Sequence, residues 1–325
     1  MGPEIRTESS VYGKTTWERV TSWVLIEGDR AVVASGITVS IVGIVGALLW
    51  GEILAVGPDS SVDSLFSSGL TAGVMTIITI TLSINQLVIS RVTGTVDSLT
   101  DRLHGARVLR EDIANIAGRP SSPNDPAAFL SLIARTLSDR VSTLRAMNES
   151  GDWTPPGEVT VALRDIGEYG ENIDSQLENN TQVNYVLTVL LGTEYAVNLR
   201  AVQQLQNRYA ESFSEDVQAE FQAIDKLLES IAIVRQFYKT IALQQDFAEL
   251  SRLIVYTGLI AFVTAISLTL IYRENSVMIP PSMLPVVVSM GIGVVTVPLA
   301  LFVSYILRAA TIARQTVSVG PFVPP

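Results

Sequence analysis

Residues 71–90 read TAGVMTIITITLSINQLVIS, a stretch without a single charged side chain. Within it Thr76, Thr79, Ser83, Gln86 and Ser90 recur at intervals of three, four, three and four. At 100° per residue those five fall on one face of a helix, with Ile77, Ile80, Ile84 and Leu87 on the others. A segment of this length and apolarity reads as a membrane span. A polar face along such a span must meet protein or water, because hydrocarbon cannot satisfy its hydrogen bonds.

The composition agrees with a chain of several such spans. Of the 325 residues 48% are hydrophobic. The apolar residues gather in blocks and leave the middle of the chain polar. Net charge is −10, and lysine occurs only at Lys14, Lys226 and Lys239. Abundant acid with little lysine suggests a proteome adapted to molar salt, where acidic surfaces stay hydrated and screening is short-ranged. The alternative is an acidic protein of an ordinary proteome that avoids nucleic acid. The chain has no cysteine, which excludes disulfides, thiolate chemistry and Cys-based metal sites. A low pI without a basic cluster argues against nucleic acid as a partner.

Four spans are expected. The first is about Ala31–Trp50, with Gly36, Ser40, Gly43 and Ala47 along one stripe, a small-residue pattern that lets helices approach closely. The second covers roughly Phe66–Ser90, the third Leu253–Tyr272 and the fourth Leu284–Leu307. In the fourth, Ser289, Gly293, Thr296 and Ala300 form a small-residue face, and Gly293 and Pro298 are expected to serve helix packing. Arg6, Lys14, Arg19 and Arg30 precede the first span, Arg91, Arg102, Arg107 and Arg110 follow the second, and Arg308 and Arg314 close the fourth. The loop Gly51–Asp63 carries acids only. By the positive-inside rule both termini and the chain after Ser90 are cytoplasmic, which makes this a multi-pass protein of the cell membrane. Ahead of the first span, Thr15 and Glu18 form a capping box, and Trp17–Leu25 reads as an interfacial helix. The apolar run starts too late for a cleaved signal peptide.

Between the second and third spans only helical periodicity occurs. Thr95–Gly118 is read as an extension of the second span, with a bend at Gly94. Asp125-Pro126 caps a helix that runs to about Met147 with Phe129, Ile133, Leu137, Val141 and Leu144 on its apolar side. Further helices are expected over Glu158–Leu177 and Thr181–Ala210, separated by a weak joint at Glu178-Asn179-Asn180. From the capping box Ser212/Glu215 an apolar stripe through Val217, Phe221, Ile224, Leu228 and Ile231 predicts one helix running unbroken into the third span. The fold class is therefore all-α, a polytopic membrane protein with a large cytoplasmic helical bundle between spans two and three. The expected divisions are 1–30, a tail with the interfacial helix; 31–90, spans one and two; 91–250, the bundle; 251–308, spans three and four; and 309–325, a tail.

Catalytic signatures are missing. There is no phosphate-binding Gly-rich loop ending in Lys-Ser or Lys-Thr, no His-Glu-x-x-His and no Gly-x-Ser-x-Gly. His104 is the sole histidine and reads as a surface residue. Glu168, Glu171, Asp174 and Glu178 share a broad helix face, but a straight helix does not wrap a cation as a loop does, so a solvated face is the reading. Asn148-Glu149-Ser150 and Asn179-Asn180-Thr181 match the glycosylation pattern but fall on the cytoplasmic side. No catalytic residue, metal site or cofactor is expected.

The polar face of the second span has two readings, interhelical hydrogen bonding or a water- or ion-lined path shared among subunits. No acid or base lies at mid-span, which argues against a proton relay. Hydroxyls leading to an arginine-rich edge favour anions.

The order of elements over Ala31–Arg308, two spans, a helical block, then two spans of which the first continues a helix, resembles the bestrophin plan. That resemblance implies a ring of subunits around a pore lined by the second span. Thr76, Thr79 and Ser83 stand here instead of that family's bulky aromatic neck residues, and no acidic Ca²⁺ clasp is identifiable. The phrases LSINQLVISR (Leu82–Arg91) and ELSRLIVYTGL (Glu249–Leu259) are similar to those of uncharacterised four-span proteins of haloarchaea and some actinobacteria. Stator subunits of flagellar motors share the layout as well. The expectation is a homo-oligomeric passive ion channel in the lipid bilayer, with an inorganic anion as the favoured permeant and Thr76, Thr79, Ser83, Gln86 and Ser90 along the path. The alternative is a membrane-anchored scaffold or sensor whose cytoplasmic helices bind a protein partner.

Overall fold

The computed structural model describes residues 5, 7, 16–54, 56, 60, 62–93, 96–150, 153–177, 186, 189–190, 194–272 and 279–315. Thr15, Gly94, the joint Glu178-Asn179-Asn180 with Thr181, and the tail Val317–Pro325 lie outside the described residues, as do the side chains of Glu18, Arg91 and Arg314. Among the described residues there is helix and no strand. In chain order the helices are α1 (Thr16–Ser22), which runs on as a π-helical turn (Trp23–Glu27), and α2 (Arg30–Trp50); a short turn (Val62–Ser64) and a π-helical segment (Leu65–Leu70) then lead into α3 (Thr71–Thr93). There follow α4 (Val96–Ile116), α5 (Pro126–Glu149), α6 (Gly157–Leu177), α7 (Glu194–Tyr209), α8 (Glu215–Ile271) and α9 (Leu284–Gln315). Among the described residues four stretches are long and apolar enough to cross a membrane: Arg30–Trp50, Leu65–Ser90, the apolar part of Glu215–Ile271, and Leu284–Ala313.

The chain divides into two compact units, one made of Met1–Val20, Gly94–Ala242 and Ile312–Pro325, the other of Thr21–Thr93 and Leu243–Thr311. In the first, α5 starts as its sequence dictates: Asp125 accepts from the Ala128 N–H and Pro126 occupies the first turn, where its missing N–H costs nothing. The α5 stripe of Leu130, Ile133, Leu137, Val141 and Leu144 is fully buried. It packs on α6, whose Gly170 lies so close that a Cβ there would be 2.7 Å from the Ala134 carbonyl oxygen. Asp174 of α6 accepts from Ser131 and, at 2.6 Å, from Arg135 of α5. One member of the acidic row therefore serves the α5–α6 contact, while Glu168 and Glu171 stay exposed. The α8 stripe, Val217, Phe221, Ile224, Leu228 and Ile231, is buried throughout.

Two sequence expectations are corrected. The α8 cap is Ser214, not Ser212: the Val217 N–H donates to Ser214 Oγ, whereas the Ser212 hydroxyl donates to the Tyr209 carbonyl. A 3₁₀ turn over Ala210–Ser212 uses up those residues and delays the helix start. The start of the second span is also wider than a plain α-helix would give, because Leu65–Leu70 is π-helical, and Thr71 Oγ1 donates to the Phe66 carbonyl five residues back.

In the second unit α9 is the central helix. In its most apolar stretch 44% of residues are buried, against 28% in α8, 11% in the α3 stretch and 6% in α2. Helix contacts form where a missing side chain admits a neighbour. A Cβ at Gly293 would stand 2.6 Å from Val42 of α2, and one at Gly258 of α8 would stand 2.8 Å from Ile78 of α3. Two apolar clusters fill the interior. One joins Phe66, Val74, Ala261, Ala265, Leu284 and Val288; the other joins Ala34, Leu250, Ile254, Ala300, Leu301 and Tyr305. The α9 small-residue face is the packed one, with Ser289, Gly293 and Ala300 buried, and Pro298 is buried within the same helix.

Candidate functional site

The second unit carries two polar features, one on its surface and one inside. The surface feature is the α3 face. Thr76, Thr79, Ser83, Gln86 and Ser90 are all exposed, while Val74 and Thr81 on the opposite side are buried. Each hydroxyl on the exposed face is satisfied locally. Thr76 Oγ1 donates to the Ala72 carbonyl at 2.8 Å, Thr79 Oγ1 to Met75 and Ser83 Oγ to Thr79 at 2.9 Å, and Ser90 Oγ to Leu87 at 2.8 Å. Each keeps lone pairs and reorients at small cost, so the face is a ladder of adaptable acceptors. Gln86, whose amide carries two donors and an acceptor carbonyl, is exposed on the same face.

The small-residue stripe of α2 also faces outward. Gly36, Ser40, Gly43 and Ala47 are exposed, and nothing lies within 4 Å of a Cβ built at Gly36 or Gly43. These residues do not mediate contact within the chain; Val42 against Gly293 does that. Gly293 and Pro298 are buried inside the unit, and the α2 stripe leaves a lateral face open.

The internal feature was not foreseen from the sequence. Arg30, Asp246 and Arg308, placed by α2, α8 and α9, are 3%, 5% and 4% exposed. Arg308 Nη1 donates to Asp246 Oδ1 at 2.9 Å, and Arg308 Nη2 donates to the Gly28 carbonyl at 2.8 Å. Arg30 donates to the same Gly28 carbonyl from Nε at 2.9 Å and Nη2 at 2.6 Å, and from Nη1 to the carbonyls of Val24 and Ser304 at 3.0 and 3.3 Å. One backbone oxygen thus accepts from two guanidinium groups. Gly28 permits this approach: a Cβ there would stand 2.6 Å from the Trp23 carbonyl oxygen. Beside the cluster, the Tyr305 hydroxyl lies near Glu249. Among the described residues Asp246 Oδ2 and Arg308 Nε have no partner, so the pair holds one hydrogen bond where a bidentate pair holds two.

Electrostatically the cluster joins two cations to Asp246, with Glu249 adjacent. A buried ion pair offsets its desolvation only when geometry and further hydrogen bonds are good, and here the carbonyls of Gly28, Val24 and Ser304 supply them. The sequence reading placed Arg30 and Arg308 among the flanking positive charges; the fold turns both inward. The signal available in sequence was Asp246 itself. It falls in the row Ala242, Asp246, Leu250, Ile254, spaced four apart, so an acid occupies a position in an otherwise apolar register. Among the described residues no group of three His, Cys, Asp or Glu could hold a metal.

The chain belongs to the family described as "Family of unknown function (DUF7972)", which matches residues 2–325. No curated protein and no solved structure matches it.

Proposed function

We propose that this protein is a homo-oligomeric passive ion channel of the cell membrane, with the polar face of α3 lining the path and anions favoured. The observation that carries the reading is that Thr76, Thr79, Ser83, Gln86 and Ser90 are all left on the outer surface of a single chain. Interhelical hydrogen bonding within the chain does not account for them. In a bilayer an amide turned to lipid tails costs several kcal/mol, on the order of 2–7, so Gln86 requires water or another subunit. Copies arranged with their α3 faces inward supply water and a column of hydroxyls together. The sparse burial of α2 and α3 leaves lateral surface for such contacts.

In this arrangement the termini and the unit built on α4–α7 are cytoplasmic, following the arginines that flank the apolar stretches. The absence of ionisable side chains along the α3 face gives weak, non-trapping interaction with the permeant, which suits passive flux. A path lined by hydroxyls and followed in sequence by Arg91 favours anions.

Because the protein has no cysteine, single-Cys scanning of Ile77–Leu87 with a charged thiol reagent tests the path directly. Labelling that peaks at Thr79, Ser83 and Gln86 is expected; uniform protection would remove the pore and favour the scaffold reading. A cation-selective reversal potential of purified protein in vesicles would overturn the anion preference.

A further inference from the structure

From Val96 to Val108 every residue of α4 except Ser98 is exposed, although this is a regular helix. Its far end is fixed: Ile113 and Ala114 are buried, and Arg110 donates to Ser122 Oγ at 3.0 Å, to the Ser122 carbonyl at 2.9 Å and to Asn124 at 2.6 Å. About three turns of helix therefore stand clear of the core they are attached to, at 3.6 residues per turn.

Those turns are two-sided. At 100° per residue Val96, Leu99 and Leu103 fall together, with Arg102 at one edge and Arg107 at the other. Val96 and Leu103 are 78% and 73% exposed, among the most open apolar side chains of the chain. The opposite side holds Asp97, Asp101, His104 and Val108. Asp97, Asp101 and Arg102 form no ion pair with any described residue, whereas Arg107 pairs with Glu111 at 2.8 Å. An isolated helix with an open apolar stripe is not self-sufficient; it needs a partner to cover that stripe.

We propose that the apolar and arginine-bearing face of α4 in one copy docks on the aspartate-bearing face of α4 in a neighbouring copy. This rests on the oligomeric reading of α3 above and adds to it the contact that joins the copies. Charge complementarity selects the occupant. Over Val96–Val108 the two aspartates balance the two arginines, with acids on one side and the apolar stripe and arginines on the other. Balanced charge gives little attraction to an anionic lipid surface, which responds to net positive charge. The same segregation makes the two sides of the helix mutually complementary, because Arg102 of one copy meets Asp97 and Asp101 of the next while Val96, Leu99 and Leu103 are covered. Two different faces meeting give a heterologous contact, and repetition of a heterologous contact gives a ring where its rotation closes.

The test uses the full-length protein in lipid vesicles with paired cysteines introduced into the cysteine-free chain. Leu103→Cys together with Val108→Cys, after mild oxidation, is expected to give a ladder of covalent multimers extending beyond the dimer. Either substitution alone is expected to give mainly monomer. Independently, Asp101→Arg should shift the size distribution toward monomer at least tenfold, and adding Arg102→Asp to it should restore the assembly. Efficient dimerisation of the Leu103→Cys chain alone, ending at the dimer, would indicate a symmetric pairing and overturn the proposal. A fluorophore at Leu103 quenched by brominated lipid would assign the stripe to the membrane and overturn it as well. So would a missing ladder combined with unchanged assembly of Asp101→Arg. Thiol labelling of the α3 face in the same vesicles separates the two ideas. A labelled face with no α4 ladder removes only the α4 contact, and a protected face with an intact ladder removes only the pore.

Discussion

Arg308 and Asp246 form an ion pair of 2.9 Å whose side chains are 5% and 7% exposed, and the same guanidinium caps the Gly28 carbonyl. The pair joins α8 to α9 and to the turn ahead of α2. Removing one member leaves a buried charge without its counterion. Asp246→Leu is expected to lower stability by about 3–5 kcal/mol, while Asp246→Leu with Arg308→Met is expected to recover most of that loss. Thermal unfolding of the two variants in detergent measures the difference.

Gly293 and Gly36 share a residue type but not a role. A Cβ at Gly293 meets Val42 at 2.6 Å, so Gly293→Ala should cost about 1–3 kcal/mol through forced separation of α2 and α9. Gly36 has open space around it, and Gly36→Ala should be neutral or stabilise by up to about 1 kcal/mol through helix propensity. The two melting temperatures, taken under one condition, should move in opposite directions or differ by several degrees.

The α3 hydroxyls bond their own backbone and face outward, so their loss should affect conduction far more than folding. Thr79→Leu with Ser83→Leu is expected to abolish anion flux in reconstituted vesicles and to change stability by no more than about 1 kcal/mol. Flux that persists at the parental level would count against the path.

Glu158 accepts hydrogen bonds from Tyr209 and, at 2.9 Å, from Arg208. Those donors hold its carboxyl below the usual carboxylate range, the Tyr209 hydroxyl contributing most and Arg208 next. A lowered folded-state pKa means that the unfolded chain binds the proton more readily. The stabilisation is then complete above the unfolded value of about 4.3 and fades as pH falls through the lower folded value. Denaturant midpoints of the parent and Glu158→Gln should therefore differ at neutral pH and converge as the medium is acidified below pH 4.

Much of the architecture was legible because it rests on local pattern. Asp125-Pro126 starts α5 through contacts within a single turn, and the α8 stripe from Val217 to Ile231 is buried where its 3.6-residue period places it. The four apolar stretches follow from length and composition alone. The Ser212/Ser214 difference arose because both serines offer a cap, and only the 3₁₀ turn before α8 decides which of them is used. The polar face of α3 was visible as spacing, but whether it turned toward the chain's own helices or away from them was not.

The sequence by itself determined the helices, their apolar faces and the segregation of polar side chains on α3, because each depends on residues within a few turns of one another. The tertiary structure alone decided which charges meet. Asp246 and Arg308 are separated by 62 positions, and Arg30 reaches the Ser304 carbonyl across 274. Such partners are selected when α2, α8 and α9 pack and exclude water from the pair, and no local period encodes that choice. The same packing placed Gly293 inside, left Gly36 open and put the five polar residues of α3 on the outer surface.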